Sequence, residues 1–140
     1  MDIQTRRNPR TYWKGAAVLF AIGLGACAHR PQPKQAIGWR PVGSWSGHGN
    51  AQTDSFNIDS GQWRIKWSTT NETPTGAGTF RATVHSAVSG RPLMEAVAHQ
   101  GLGRGTAYVN EDPRLFDIDV ESANEDWTVA VEEAVAGTVP

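Results

Sequence analysis

Five segments of the 140-residue chain alternate apolar and polar residues with a period of two, and this alternation limits the fold more than any other feature. Trp63-Arg64-Ile65-Lys66-Trp67 puts three large apolar side chains on one face and two cations on the other. Phe116-Asp117-Ile118-Asp119-Val120-Glu121 does the same with acids outside. Trp127-Thr128-Val129-Ala130-Val131-Glu132, Phe80-Arg81-Ala82-Thr83-Val84-His85 and the shorter Phe56-Asn57-Ile58-Asp59 repeat the pattern. Successive side chains of a strand point to opposite faces, so each segment has one buried and one wet face. Helical spacing fits none of them.

Turn-forming residues separate these runs, notably Ser46 to Asn50, Asp59-Ser60-Gly61, Asn71 to Gly78, Ser89 to Pro92, Gly101 to Gly105 and Ala123 to Asp126. The pattern predicts about eight short strands, near 39–46, 54–59, 63–69, 78–86, 92–99, 106–110, 115–122 and 126–133. Short strands at this spacing predict an all-β fold, a single antiparallel β-sandwich. In the segment 93–99 the order Leu-Met-Glu-Ala-Val-Ala is also compatible with one or two helical turns. The expected inward set is Trp45, Phe56, Ile58, Trp63, Ile65, Trp67, Phe80, Val84, Val97, Tyr108, Phe116, Ile118, Val120, Trp127, Val129 and Val131.

Composition removes several classes. The formal net charge is −1, so no global basic field attracts a nucleic-acid backbone. A single cysteine excludes an intramolecular disulfide and a Cys-rich zinc site. Six Trp and fifteen Gly in so short a chain argue against disorder, because the aromatics supply a core. Charge is uneven: between residues 28 and 104 there are eight cations and four acids, and from 105 onward one cation and nine acids. Interleaved strands would turn this asymmetry into cross-strand ion pairs.

The N-terminal segment reads as an address. Arg6, Arg7, Arg10 and Lys14 precede an apolar run from Gly15 to Ala26, which ends at Cys27. A positive region, a short apolar region and small residues before a break make a secretory signal. The run is about 12 residues against roughly 20 for a membrane-spanning helix. Leu24-Gly25-Ala26-Cys27 resembles the bacterial lipobox at all four positions. The resemblance implies lipidation of the Cys27 thiol, cleavage before it, and a mature chain that starts there. The Arg6-Arg7 pair lacks the apolar residues that follow a twin-arginine signal, which favours general secretion. Ala28 after the cysteine implies, by the sorting rule of enteric bacteria, the outer membrane rather than the inner.

The expected organisation is a signal peptide at 1–26, the lipidated cysteine and a Pro-containing linker at 27–38, a sandwich domain at 39–133 and a flexible tail at 134–140. The domain is loosely similar to the small β-sandwiches of bacterial envelope lipoproteins of unknown function. That resemblance implies a fold and a location, and no activity.

Candidate sites are few. Trp39 and Trp45 lie near the domain's start, where alternation does not assign their facing, and either could stack on a sugar ring. Glu111-Asp112 with Glu125-Asp126 could form a calcium site if both turns lay at one end of the sandwich. His48, His85 and His99 lack metal-ligand spacing, and no Gly-x-Ser-x-Gly elbow is present. Gly101-Leu102-Gly103-Arg104-Gly105-Thr106 would need a following helix to cradle a phosphate, whereas Tyr108-Val109 reads as strand. The sequence is therefore read as a lipid-anchored envelope protein with a non-enzymatic interaction or structural module, without metal or cofactor. The partners expected are the membrane, through the lipid, and an envelope protein or glycan. Two alternatives are a carbohydrate- or peptidoglycan-binding module and a calcium-stabilised adhesion-type domain.

Overall fold

The computed structural model describes residues 35–138. The expected signal peptide, Cys27 and most of the linker lie outside them. Nine strands form two antiparallel sheets, and no helix occurs among the described residues. In chain order they are β1 (Gln35–His48), β2 (Ala51–Gln52), β3 (Phe56–Ile58), β4 (Trp63–Thr70), β5 (Thr79–Ser86), β6 (Pro92–Gln100), β7 (Arg104–Val109), β8 (Arg114–Ala123) and β9 (Asp126–Thr138). The first sheet has the order β1-β9-β4-β7. The second has the order β2-β8-β5-β6, with β3 also paired to β8. The all-β sandwich read from the alternation is the fold observed.

Most turns carry the chain from one sheet to the other, which interleaves its two differently charged parts. Arg40 on β1 meets Glu133 on β9, Arg64 on β4 meets Glu132 on β9, and Arg81 on β5 meets Glu121 on β8. The cross-strand ion pairs expected from the charge asymmetry are present.

Phe56, Ile58, Trp63, Ile65, Phe80, Val84, Phe116, Ile118, Val120, Trp127, Val129 and Val131 fill the space between the sheets. Their rings lock together: Trp63 lies 5.0 Å from Phe116 and meets Phe56 edge-on at 5.3 Å. Trp45 and Trp67 pack on this core only partly buried. Tyr108 departs from expectation. It pairs with Arg64, whose side chain faces outward, while Val109 pairs with the buried Trp63. Tyr108 is therefore outside and Val109 inside.

The pairing also runs past the expected domain limits of 39 and 133. Gln35 pairs with Thr138 and Gly38 with Val135, so residues read as linker and tail form the first rungs of the β1–β9 ladder. The segment 93–99 is strand. Its helix-like order arises because β6 carries extra residues at Ala96 and Leu93, where its register against β5 shifts. Each bulge breaks the count of two that marks a strand.

Candidate functional site

The outer face of the first sheet carries an elaborate side-chain arrangement, exposed at Tyr108 and largely covered at Arg64 and Glu132. Pairing aligns Glu132 on β9, Arg64 on β4 and Tyr108 on β7 in one row. Trp39 on β1 folds over this row from its edge. The Arg64 guanidinium lies 4.0 Å from the centre of the Trp39 ring. Its Nε and Nη2 both donate to Glu132 Oε1 at 2.7 Å. The Tyr108 ring, half exposed, stands 5.9 Å from Trp39. Two aromatic rings are thus held beside a guanidinium whose orientation a carboxylate fixes. Hydrogen-bonding groups next to an aromatic surface are what recognition of a polyhydroxylated or planar ligand requires.

Trp45, the other aromatic singled out in the sequence, does not belong to this face. Trp39 and Trp45 have the same parity, and an unbroken strand would point both to one side. Val42 is an extra residue between the pairs Pro41–Glu132 and Gly43–Val131, and this bulge reverses the facing. Trp45 turns inward, 5.5 Å from Phe56, with its indole N–H directed at Asp54 Oδ2 at 3.5 Å. It is a core residue at the sandwich edge.

Two buried glutamates mark opposite ends of the sandwich, and sequence reading singled out neither for this role. Glu133 closes one end. The amides of Asp59 and Ser60 donate to its Oε1 at 2.5 and 2.7 Å, and Arg40 donates to Oε2. Burial opposes the charge of Glu133, yet the bonds from Arg40, Ser60 and Asp59 outweigh it and hold the carboxyl below the ordinary glutamate range.

Glu125 sits at the other end with neither carboxyl oxygen hydrogen-bonded. A Cβ built on Gly78 would stand 2.1 Å from Glu125 Oε2 and 2.8 Å from Glu72 Oε2, so only glycine leaves room for both carboxyls. Glu72 accepts from the amides of Gly76 and Gly78 at 2.8 and 3.0 Å. Burial raises the Glu125 carboxyl above its ordinary range, the Glu72 charge raises it further, and His99 opposes them.

The remaining candidates stand apart. Glu111-Asp112 precede β8 and Glu125-Asp126 follow it, so the ten residues of β8, about 33 Å of extended chain, separate the two turns. They do not form the joint calcium site considered from sequence. Asp126 instead accepts from Asn71 and bonds His48, each at 2.8 Å, and these contacts lower its pKa, the Asn71 bond most. His85 lies 3.8 Å from Asp117 on the outer face of the second sheet. His99 contacts Trp67, with ring centres 5.0 Å apart. Among the described residues no three His, Cys, Asp or Glu side chains are arranged to hold a metal ion. An open cavity of about 670 Å³, lined partly by Arg81, Gln100 and Glu121, lies on the second sheet. The glycine-rich segment after β6 leads into β7, a strand, so it lacks the helix a phosphate cradle uses. Comparison with protein-family profiles, curated proteins and solved structures finds no match to this chain.

Proposed function

We propose that this chain is a lipid-anchored protein of the bacterial cell envelope, acylated at Cys27, whose β-sandwich serves as a non-enzymatic interaction module. The observation that carries the reading is the Leu24-Gly25-Ala26-Cys27 motif at the end of a short apolar run, eight residues ahead of the first strand. Two or three acyl chains would hold such a protein stably, since each buried methylene is worth about 0.8 kcal/mol and one chain alone is marginal. The domain would face the periplasm or the cell exterior, with the outer membrane favoured by Ala28.

Mass spectrometry of the mature N-terminus tests this. The expected product starts at an acylated Cys27, accumulates as precursor under globomycin, and is lost in Cys27→Ser. An unacylated product recovered from the cytosol overturns the reading.

One observation favours a second, narrower reading as a glycan- or peptidoglycan-binding module. Trp39 and Tyr108 share the outer face of the first sheet, with Arg64 and Glu132 between them largely covered. Sedimentation with purified peptidoglycan, lost in Tyr108→Ala and retained in Leu102→Ala, is the result this reading requires.

A further inference from the structure

Six large apolar residues are exposed in the described part of the chain: Ile37, Val88, Leu102, Tyr108, Leu115 and Val135. Their distribution is one-sided. β1 begins beside the end of β9, and Ile37 and Val135 lie on these first rungs. The start of β4 pairs with Glu133, five residues before the end of β9, so the first rungs of β1 and β9 overhang β4 at this end, and the start of β4 pairs with the end of β7, where Tyr108 lies. The turn after β7 leads to Leu115 at the start of β8, and the amide of Ala87, next to Val88, bonds the Leu115 carbonyl at 3.0 Å. Five of the six therefore occupy one end of the sandwich, and only Leu102 lies at the other. Val88 at 81% and Ile37 at 62% are among the most exposed.

That end is also where the chain arrives from Cys27. Eight residue steps separate Cys27 from Gln35, and they span at most about 29 Å. We infer that this end of the domain, with Ile37, Val88, Leu115 and Val135 at its tip and Tyr108 at its rim, docks on the surface of the same membrane that holds the acyl chains.

The inference rests on the lipid anchor proposed above. A tether this short converts docking into an intramolecular event at an effective concentration on the order of millimolar. A patch too weak to bind vesicles by itself then suffices, and the aliphatic side chains enter the interfacial layer with Tyr108 at headgroup level. The charges at this end do not favour an anionic surface. Arg40 and Arg64 are paired with Glu133 and Glu132, and the two further cations of this end, Arg91 and Arg114, are outnumbered by Asp59, Glu111 and Asp112. The contact is therefore apolar and should be insensitive to salt.

Cys27 is the only cysteine and the lipid consumes it, so Val88→Cys or Leu102→Cys introduces a single free thiol for a polarity-sensitive fluorophore. The acylated protein is reconstituted in phosphatidylethanolamine–phosphatidylglycerol vesicles containing brominated acyl chains, and its mass is recorded. The expected result is quenching at least three-fold greater at position 88 than at 102. Quenching at 88 should be unchanged in 0.5 M salt and reduced to the level at 102 by adding Ile37→Asp and Val135→Asp. An acylated protein with equal quenching at both ends overturns the docking alone. So does a blue-shifted label at 88 without quenching, which would place a protein there instead of lipid. Loss of quenching in salt overturns the apolar contact. A mass without acyl groups overturns the anchor and the docking together.

Discussion

Trp39 and Trp45 sit on one strand with the same parity and face opposite sides of their sheet, because Val42 bulges out of the ladder between them. The two indoles therefore differ in what their removal costs. Trp45→Ala takes a partly buried ring from beside Phe56 and should cost about 2–4 kcal/mol. Trp39→Ala removes a ring from the outer face and a contact with Arg64, worth about 1 kcal/mol or less. Urea denaturation of the two variants measures the difference, and equal losses would contradict the opposed facing.

Glu125 links the fold to pH. Its folded pKa is raised, first by burial and then by Glu72, so the folded state holds this proton more tightly than the unfolded chain. Its stabilising contribution is complete below the unfolded pKa of about 4.3 and is lost as pH rises through the raised folded value. Glu125→Gln should flatten the alkaline side of the stability profile and increase stability at pH 8 by about 1–3 kcal/mol, the scale of a buried group left without a partner. Urea midpoints between pH 5 and 9 provide the measurement; an unaltered slope is the adverse result.

Glu133 should act in the opposite direction. Burial raises its pKa, but Arg40, Ser60 and Asp59 together bring it below the ordinary value. Its contribution is present above the unfolded pKa and disappears as pH falls through the lowered folded one. Glu133→Ala leaves the amides of Asp59 and Ser60 without their acceptor. The expected loss at pH 7 is about 2–4 kcal/mol, below the upper figures for buried pairs because Arg40 is largely exposed. Acid unfolding of this variant should begin from a lower plateau and show a shallower slope between pH 5 and 3.

Gly78→Ala tests the packing of the two carboxyls at the Glu125 end. The added methyl would overlap Glu125 Oε2 and crowd Glu72 Oε2, costing about 1–3 kcal/mol. Shortening Glu125 to Ala removes the closest obstacle, so the double variant Gly78→Ala, Glu125→Ala should be more stable than the sum of the single effects predicts. A thermodynamic cycle with no coupling would show that the methyl finds room elsewhere.

The fold was legible where side chains alternate strictly. β4, β5, β8 and β9 announce themselves because each buries every second residue between the sheets. The reading fails where an extra residue breaks the count. Val42 on β1 hides the facing of Trp39 and Trp45, and Leu93 and Ala96 give β6 a helix-like order. Tyr108 and Val109 adjoin each other, so local pattern could not choose between them. Their facing follows from the partners Arg64 and Trp63 on β4.

The outer aromatic face was half legible. The sequence marks Trp39 as a candidate, but its pattern puts Tyr108 in the core, and Arg64 and Glu132 read as ordinary wet-face charges. The buried roles of Glu125 and Glu133 have no local signature. Glu133 is bonded to Asp59 and Ser60, 74 and 73 positions away in the chain, and Glu125 shares its space with Glu72 through Gly78. Only the folded topology brings these groups together.

The β1–β9 ladder also has a mechanical side. Tension between the chain ahead of Gln35 and a hold at the far end of the sandwich runs along β1, parallel to the strand and across its rungs, whereas a hold at Thr138, paired with Gln35, would peel them. The thirteen paired positions then bear load in shear, all at once, instead of peeling open singly. A domain pulled between that terminus and a partner at its far end is held by its longest zipper in the orientation that resists best.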